Sequence, residues 1–175
     1  MYTIKQPKKI IFGKNSCKEY IFPDNSLVIT SNGAIKRGWI DYLGIKNYNI
    51  FDNVEPNPSI ETTNEIIKEF QNVNFSYIIG IGGGSSLDVA KFVGQKMDKK
   101  KIMIPTTFGS GSEVTRISVL KVDGKKKSFH DDNPLRNGMV SEVLKQQSRI
   151  DEGWFLEILS MTEKEGLSLI HISDP

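Results

Sequence analysis

"YIIGIGGGSSLDVAKF", residues Tyr77 to Phe92, passes from an apolar run through three consecutive glycines into a stretch with helical spacing. Tyr77 to Ile81 reads as a strand buried on both faces, and Ser85 or Ser86 opens a helix carrying Leu87, Val89, Ala90 and Val93. Glycine accepts positive φ and has no Cβ to hold an approaching group away. Gly82, Gly83 and Gly84 thus present backbone N–H donors at the positive end of a helix dipole, which is a seat for phosphate. The dinucleotide fingerprint G-x-G-x-x-G is not met, because Ser85 stands where a glycine should follow Gly80 and Gly82. A Walker loop is also absent, since no Gly-Lys-Ser or Gly-Lys-Thr follows. Taken alone, the triplet is equally well explained as a tight turn that needs glycine for packing.

A second stretch weighs against the bare turn. "IPTTFGSGSEVT", Ile104 to Thr115, follows the next apolar strand, Lys101 to Ile104, and offers the hydroxyls of Thr106, Thr107, Ser110 and Ser112 around Gly109 and Gly111. Two consecutive strands deliver small, donor-rich loops to one edge of a sheet, where doubly wound folds bind ligands.

The surrounding chain keeps the same rhythm. "KIIFG" is an opening strand ending at Gly13, Ser26 to Thr30 a buried strand, Ala34 to Leu43 a helix, and Tyr48 to Phe51 a strand. "EPNPS" is a turn, because its two prolines remove backbone donors and push their neighbours out of helical geometry. Ser59 caps a helix from Ile60 to about Gln71, with Ile60, Ile66, Ile67 and Phe70 on one side. This alternation predicts an α/β fold with a parallel, doubly wound sheet. Beyond it, Asp123-Gly124 marks a two-residue turn between alternating strands, a β-hairpin.

Composition bounds the function. The chain has 175 residues, with 23 Lys and Arg against 21 Asp and Glu. It can bury a sizeable core, and its basic residues form no stripe interleaved with aromatics, so no nucleic acid partner is expected. The start, "MYTIKQPKK", lacks an apolar leader and no segment reaches the ~18 apolar residues of a membrane span, so the expectation is a cytoplasmic protein without a membrane partner. The single cysteine, Cys17, excludes an internal disulfide and reads as a small, partly buried side chain.

Together, "GGGSSLDVAK" and "IPTTFGSGSEVT" resemble the iron-containing, metal-dependent alcohol dehydrogenase family. The likeness extends back through "VEPNPS" and "IFGKNS" and covers about Lys9 to Asn133, the nucleotide-binding half of a full member. It implies a Rossmann-like sheet of the dehydroquinate synthase-like superfamily. Gly82, Gly83, Gly84 and Ser85 would cradle the cofactor pyrophosphate, and Asp88 would help shape the nicotinamide side. Thr106, Thr107 and Ser112 would line the cofactor path, with Phe108 and Ser110 where many members have Ala and Thr. Asn57 and Pro58 would form the turn beside the adenine end, and Lys127, or else Lys126, would reach a ribose. The cofactor is NADP or NAD. After the strand at Leu27 the chain reads Ser31, Asn32 and Gly33 with Lys36 and Arg37 nearby, and no carboxylate there repels a 2′-phosphate, which favours NADP.

The implied activity is hydride transfer between NAD(P) and a small alcohol or aldehyde. Full members use a divalent metal, iron or zinc, held by one Asp and three His from a helical second domain. This chain has two histidines, His130 and His171, so the three ligands cannot be assembled, and the metal is expected only in a full-length protein. Asp131-Asp132 reads as a solvated turn. Residues 1–135 are the expected NAD(P)-binding domain. From about Arg136 the sheet rhythm fades, and "LSLIHISDP" resembles translated adapter read-through. Residues 136–175 are therefore a tail whose origin is left open between native sequence and a frame error or assembly artefact. The expectation is a fragment that turns nothing over and binds nucleotide weakly or not at all. Two alternatives remain. One is a stand-alone nucleotide-binding module whose sheet is covered by Trp154, Phe155, Leu156, Ile158 and Leu159. The other is a lyase of the dehydroquinate synthase type, against which "GSGSE" speaks. A homodimer through "KIIFG" is left open.

Overall fold

The computed structural model describes residues 9–13, 15–107, 109–131 and 137–141. Phe108, His171 and the apolar cluster from Trp154 to Leu159 lie outside them. Eight strands and five helices follow in the order β1 (Lys9–Phe12), α1 (Ser16–Glu19), β2 (Ser26–Ile29), α2 (Asn32–Lys36), α3 (Trp39–Leu43), β3 (Tyr48–Phe51), α4 (Ile60–Phe70), β4 (Tyr77–Gly82), α5 (Gly84–Lys96), β5 (Lys100–Pro105), β6 (Ile117–Val122), β7 (Lys125–His130) and β8 (Asn137–Ser141). Six of the strands form one sheet in the order β1-β8-β5-β4-β2-β3, parallel at every pairing. β6 and β7 form the separate antiparallel hairpin expected at Asp123-Gly124.

The doubly wound α/β reading holds, and the packing shows why. Strand residues alternate between two apolar cores, one on each face of the sheet. Leu27, Ile29, Ile78 and Met103 join Ile66, Phe70, Leu87 and Val93 from α4 and α5. Val28, Ile79, Ile81, Ile102 and Ile104 join Ile40 and Leu43 of α3 on the other side. Gly80 is a β4 position facing α5 where a side chain will not fit. An added Cβ would lie 2.7 Å from Ala90 Cβ, so the glycine lets helix and sheet touch. α4 starts as expected, with Ser59 accepting from the Thr62 N–H at 3.2 Å.

Four local expectations change. The single helix from Ala34 to Leu43 is two short ones, because Gly38 adopts φ 69° and breaks the ladder between Lys36 and Trp39. Cys17 is fully buried in the α1–α3 core rather than partly so. Asp131 is not a solvated residue: it is buried, and Lys101 Nζ lies 2.5 Å from its Oδ2. The sheet also continues past residue 135, since β8 inserts between β5 and β1. "NGMVS" carries too little apolar alternation to announce a central strand. Among the described residues no helix is long and apolar enough to cross a membrane.

Candidate functional site

From β2 the chain moves outward to β3, then returns to place β4 and β5 on the other side of β2. The reversal puts a crevice at the carboxyl ends of β2 and β4, the place where open α/β sheets take ligands. Thr30 closes its floor by donating its hydroxyl to the Ile81 carbonyl at 2.7 Å. Gly82 ends β4 at φ 146° and accepts from the Thr106 N–H at 2.9 Å, which joins the two donor-rich loops.

α5 begins immediately above this crevice. Its N-cap is Gly83, and no side chain caps it. The Leu87 N–H bonds back to the Gly83 carbonyl at 3.2 Å, while the amides of Gly84, Ser85 and Ser86 have no partner one turn earlier in the helix. A Cβ on Gly83 would come within 3.2 Å of Thr107 Oγ1, and one on Gly84 within 3.2 Å of Ser110 Cβ. The loop after β5 is thus folded directly against the helix start. Thr107 is exposed there, whereas Thr106 is buried.

On the other flank, Asn57 at φ 53° donates its backbone N–H to Ser85 Oγ at 3.3 Å. The Pro58 carbonyl accepts from the Lys121 N–H at 2.8 Å, pinning the hairpin to the same turn. Asn57, Pro58, Ser85, Asp88, Val119, Leu120, Lys121 and Lys126 enclose a cleft of about 110 Å³. Ligand pockets run to roughly 300–1,000 Å³, so this cleft suits one sugar- or phosphate-sized group. Glu55 holds the turn from behind, accepting from the Ser59 N–H at 2.9 Å and the Thr62 hydroxyl at 2.7 Å. Burial pushes the Glu55 carboxyl up, but the bonds from Thr62 and Ser59 outweigh it and its pKa is lowered.

The expected site residues thus fall into groups. Asn57, Pro58, Ser85 and Asp88 share the cleft, and Gly82, Gly83, Gly84, Thr106 and Thr107 surround the helix start. Ser112 turns inward, donating its hydroxyl to Asp88 Oδ1 at 2.5 Å. Lys127 does not join them. It pairs with Leu120 across the hairpin, whereas Lys126 pairs with Lys121 and both of these line the cleft. Lys121 and Val119 were not foreseen, although the alternation of β6 around buried Leu120 puts them together on the opposite face. Among the described residues no group of His, Cys, Asp and Glu is placed to hold a metal ion. His130 is exposed, and its carbonyl accepts from Gln95 Nε2 at 3.0 Å.

Comparison with known proteins matches residues 7–137 to the family described as iron-containing alcohol dehydrogenase. The chain is 35% identical over 127 residues to a long-chain-alcohol dehydrogenase of Geobacillus thermodenitrificans, a match covering 57% of this chain and 32% of that protein. An iron-containing alcohol dehydrogenase from Thermotoga maritima superimposes with a TM-score of 0.71 at 26% identity, over 81% of this chain and 48% of its own. A sulfoacetaldehyde reductase from Bifidobacterium kashiwanohense, solved in complex with NAD+, shares the fold with a TM-score of 0.72 at 22% identity, over 81% of this chain and 46% of its own. The chain therefore spans about a third of the curated relative and about half of the solved ones.

Proposed function

Because the chain belongs to the iron-containing alcohol dehydrogenase family, we propose that it forms the NAD(P)-binding part of an oxidoreductase acting on a small alcohol or aldehyde. One observation carries the reading. The uncapped start of α5 emerges at the topological switch, flanked by the β5 loop on one side and by Asn57, Lys121 and Lys126 on the other. The relatives' alcohol and aldehyde chemistry, and the NAD+ held by the sulfoacetaldehyde reductase, support the cofactor class.

When bound, the nicotinamide cofactor supplies the hydride acceptor or donor. The chain's own residues bind and orient. The amides of Gly84, Ser85 and Ser86 receive the pyrophosphate at the positive end of the α5 dipole, and the bare Gly83 and Gly84 let it approach. Ser85, fixed by Asn57, and the ammonium groups of Lys121 and Lys126 take a ribose or phosphate in the cleft. Thr107 borders the path on the β5 side, while Ser112 and Asp88 shape it from below.

NADP is the preferred form in this reading. Arg37 Nη1 donates to the Gly33 carbonyl at 2.9 Å and its guanidinium lies 5.3 Å from the Trp39 ring, which places a cation on the turn after β2. The described residues do not fit a divalent metal. By itself the 175-residue chain is proposed to bind nucleotide only weakly and to turn nothing over.

The test is titration of the isotope-labelled chain with NADP+ and NAD+ while backbone amides are followed by NMR. Saturable shifts at Gly82 to Ser85, Asn57 and Lys121, at lower concentrations of NADP+, are expected. No shift at these amides in millimolar nucleotide refutes the binding site, and metal-dependent turnover by this chain refutes the division of labour.

A further inference from the structure

Asparagine followed by glycine occurs twice in the chain, at Asn32-Gly33 and at Asn137-Gly138. In such a pair the backbone nitrogen of the glycine can attack the side-chain carbonyl carbon of the asparagine, because glycine has no Cβ to hold the two apart. The attack needs an amide outside a hydrogen-bonded ladder and a backbone free to turn. The fold treats the two pairs oppositely. Gly138 lies in β8, where it stands opposite Ile102 of β5 on one side and Lys9 of β1 on the other. The amides of an interior strand bond to its neighbours, and its backbone is held extended.

Asn32 is exposed, and no hydrogen bond to another described residue holds its side chain. It opens α2, a helix of five residues whose N-cap Ser31 makes no side-chain bond and which Gly38 breaks off at φ 69°. The turn is closed by the Ala34 N–H on the Ser31 carbonyl at 2.9 Å, so the Gly33 amide precedes the bonded part of the helix. A helix this short opens readily.

We propose that Asn32 is a site of spontaneous chemical modification, where loss of the side-chain amide sets a carboxylate beside Arg37 and turns the crevice away from NADP. The Gly33 nitrogen loses its proton to base and bonds to Asn32 Cγ, the Cγ–Nδ2 bond breaks, and ammonia leaves carrying a proton returned by the base. Water then opens the cyclic imide at either carbonyl, leaving aspartate or isoaspartate, with nothing oxidised or reduced. The place of the new charge gives it an effect. α2 follows β2 at the carboxyl edge of the sheet, just beyond Thr30 on the crevice floor. Arg37 folds back over the next residue: Nη1 donates to the Gly33 carbonyl at 2.9 Å and would lie 2.9 Å from a Cβ built there. A carboxylate at position 32 pairs with that guanidinium or repels a phosphate brought to it, and either lowers affinity for a ribose 2′-phosphate. A free 2′-hydroxyl is not penalised, since dinucleotide-binding folds use an acid to accept from it. The effect on binding rests on the nucleotide reading above; the modification itself does not.

The test incubates the unaltered chain in mildly alkaline buffer and follows its proteolytic peptides by mass spectrometry. The peptide with Asn32 should gain the mass of an amide-to-acid change severalfold faster than the peptide with Asn137, and in urea the two should react alike. Gly33→Ala, whose methyl displaces the flexible end of the Arg37 side chain, should slow the gain severalfold. Calorimetric titration of Asn32→Asp, and of the aged chain, should show NADP+ bound severalfold more weakly while NAD+ affinity is kept. No mass gain at Asn32 in the folded chain, an equal gain at Asn137, or an undiminished rate in Gly33→Ala overturns the site. An unchanged ratio of NADP+ to NAD+ affinity in Asn32→Asp overturns its effect on binding. If the unaltered chain binds neither nucleotide, the functional reading fails, and the peptide masses alone decide whether Asn32 reacts.

Discussion

Replacing Gly82 with alanine should damage the fold at the point where the proposed nucleotide seat begins. Gly82 has φ 146°, a region closed to residues with a Cβ except under strain of about 1–3 kcal/mol. The new methyl would also lie 2.7 Å from Ser86 Oγ and 2.8 Å from Ser86 Cβ. The hydroxyl can rotate away, but Cβ is fixed to the first turn of α5, and overpacking of this kind costs about 1–3 kcal/mol. Relief by backbone movement is blocked, because Gly82 pairs with Pro105 and its carbonyl holds the Thr106 N–H. The sum is about 2–6 kcal/mol. At about 2–4 °C per kcal/mol for a chain of this size, the melting temperature should fall by between about 4 and 24 °C. Gly83→Ala is the control. Its φ of −78° and ψ of −176° suit any residue, and its methyl meets only the exposed Thr107 side chain, with Oγ1 at 3.2 Å and Cγ2 at 3.6 Å. Gly83→Ala should lose less than about 1 kcal/mol of stability while weakening nucleotide binding, since its methyl occupies the approach to the helix amides. Thermal melting by circular dichroism separates the two variants. A Gly82→Ala protein melting as Gly83→Ala does would refute the strain argument.

Three further tests address charge. Lys121→Ala and Lys126→Ala should each weaken NADP+ binding severalfold and reduce its salt dependence, whereas Lys127→Ala, on the other hairpin face, should leave both unchanged in calorimetric titrations. Glu55 has a lowered pKa in the folded chain, so its contribution is present above its ordinary value of 4.5 and lost as pH falls through the folded value. Acid unfolding should therefore narrow the stability gap between the unaltered chain and Glu55→Gln below that range, and a constant gap would contradict the hydrogen-bond account. Breaking the buried Lys101–Asp131 pair with Asp131→Asn should cost about 3 kcal/mol or more in urea unfolding, while Lys101→Met combined with Asp131→Leu should recover much of it.

The fold was legible where burial is periodic and local. β2, β4 and β5 are apolar runs with a turn signal after each, and Ser59 and Asp123-Gly124 announce their cap and hairpin through residues within a few positions. β8 was not legible, because its place between β5 and β1 comes from pairing across distant sequence and not from an apolar pattern of its own. The choice between the hairpin lysines was not legible for a related reason. β7 is almost entirely exposed, so no apolar phase tells one face of "KKKSFH" from the other, and the choice between Lys126 and Lys127 follows only from register with Leu120 on β6.

By itself the sequence determined the parallel α/β architecture, the seat of the glycines at a helix start, and the family likeness carried by two adjacent loops. Tertiary structure alone decided which polar side chains line the cleft and which face inward. Ser112, Asp88 and Lys91 belong to one buried network, and Lys101 and Asp131 to another pair. A charged residue in a sequence reads as solvated by default, because burying it is costly without a partner. Here the partners lie 24 to 31 residues away, as with Ser112 and Val119 on Asp88 and Asp131 on Lys101. No local window contains both members of such a pair, and only folding the sheet brings them within reach.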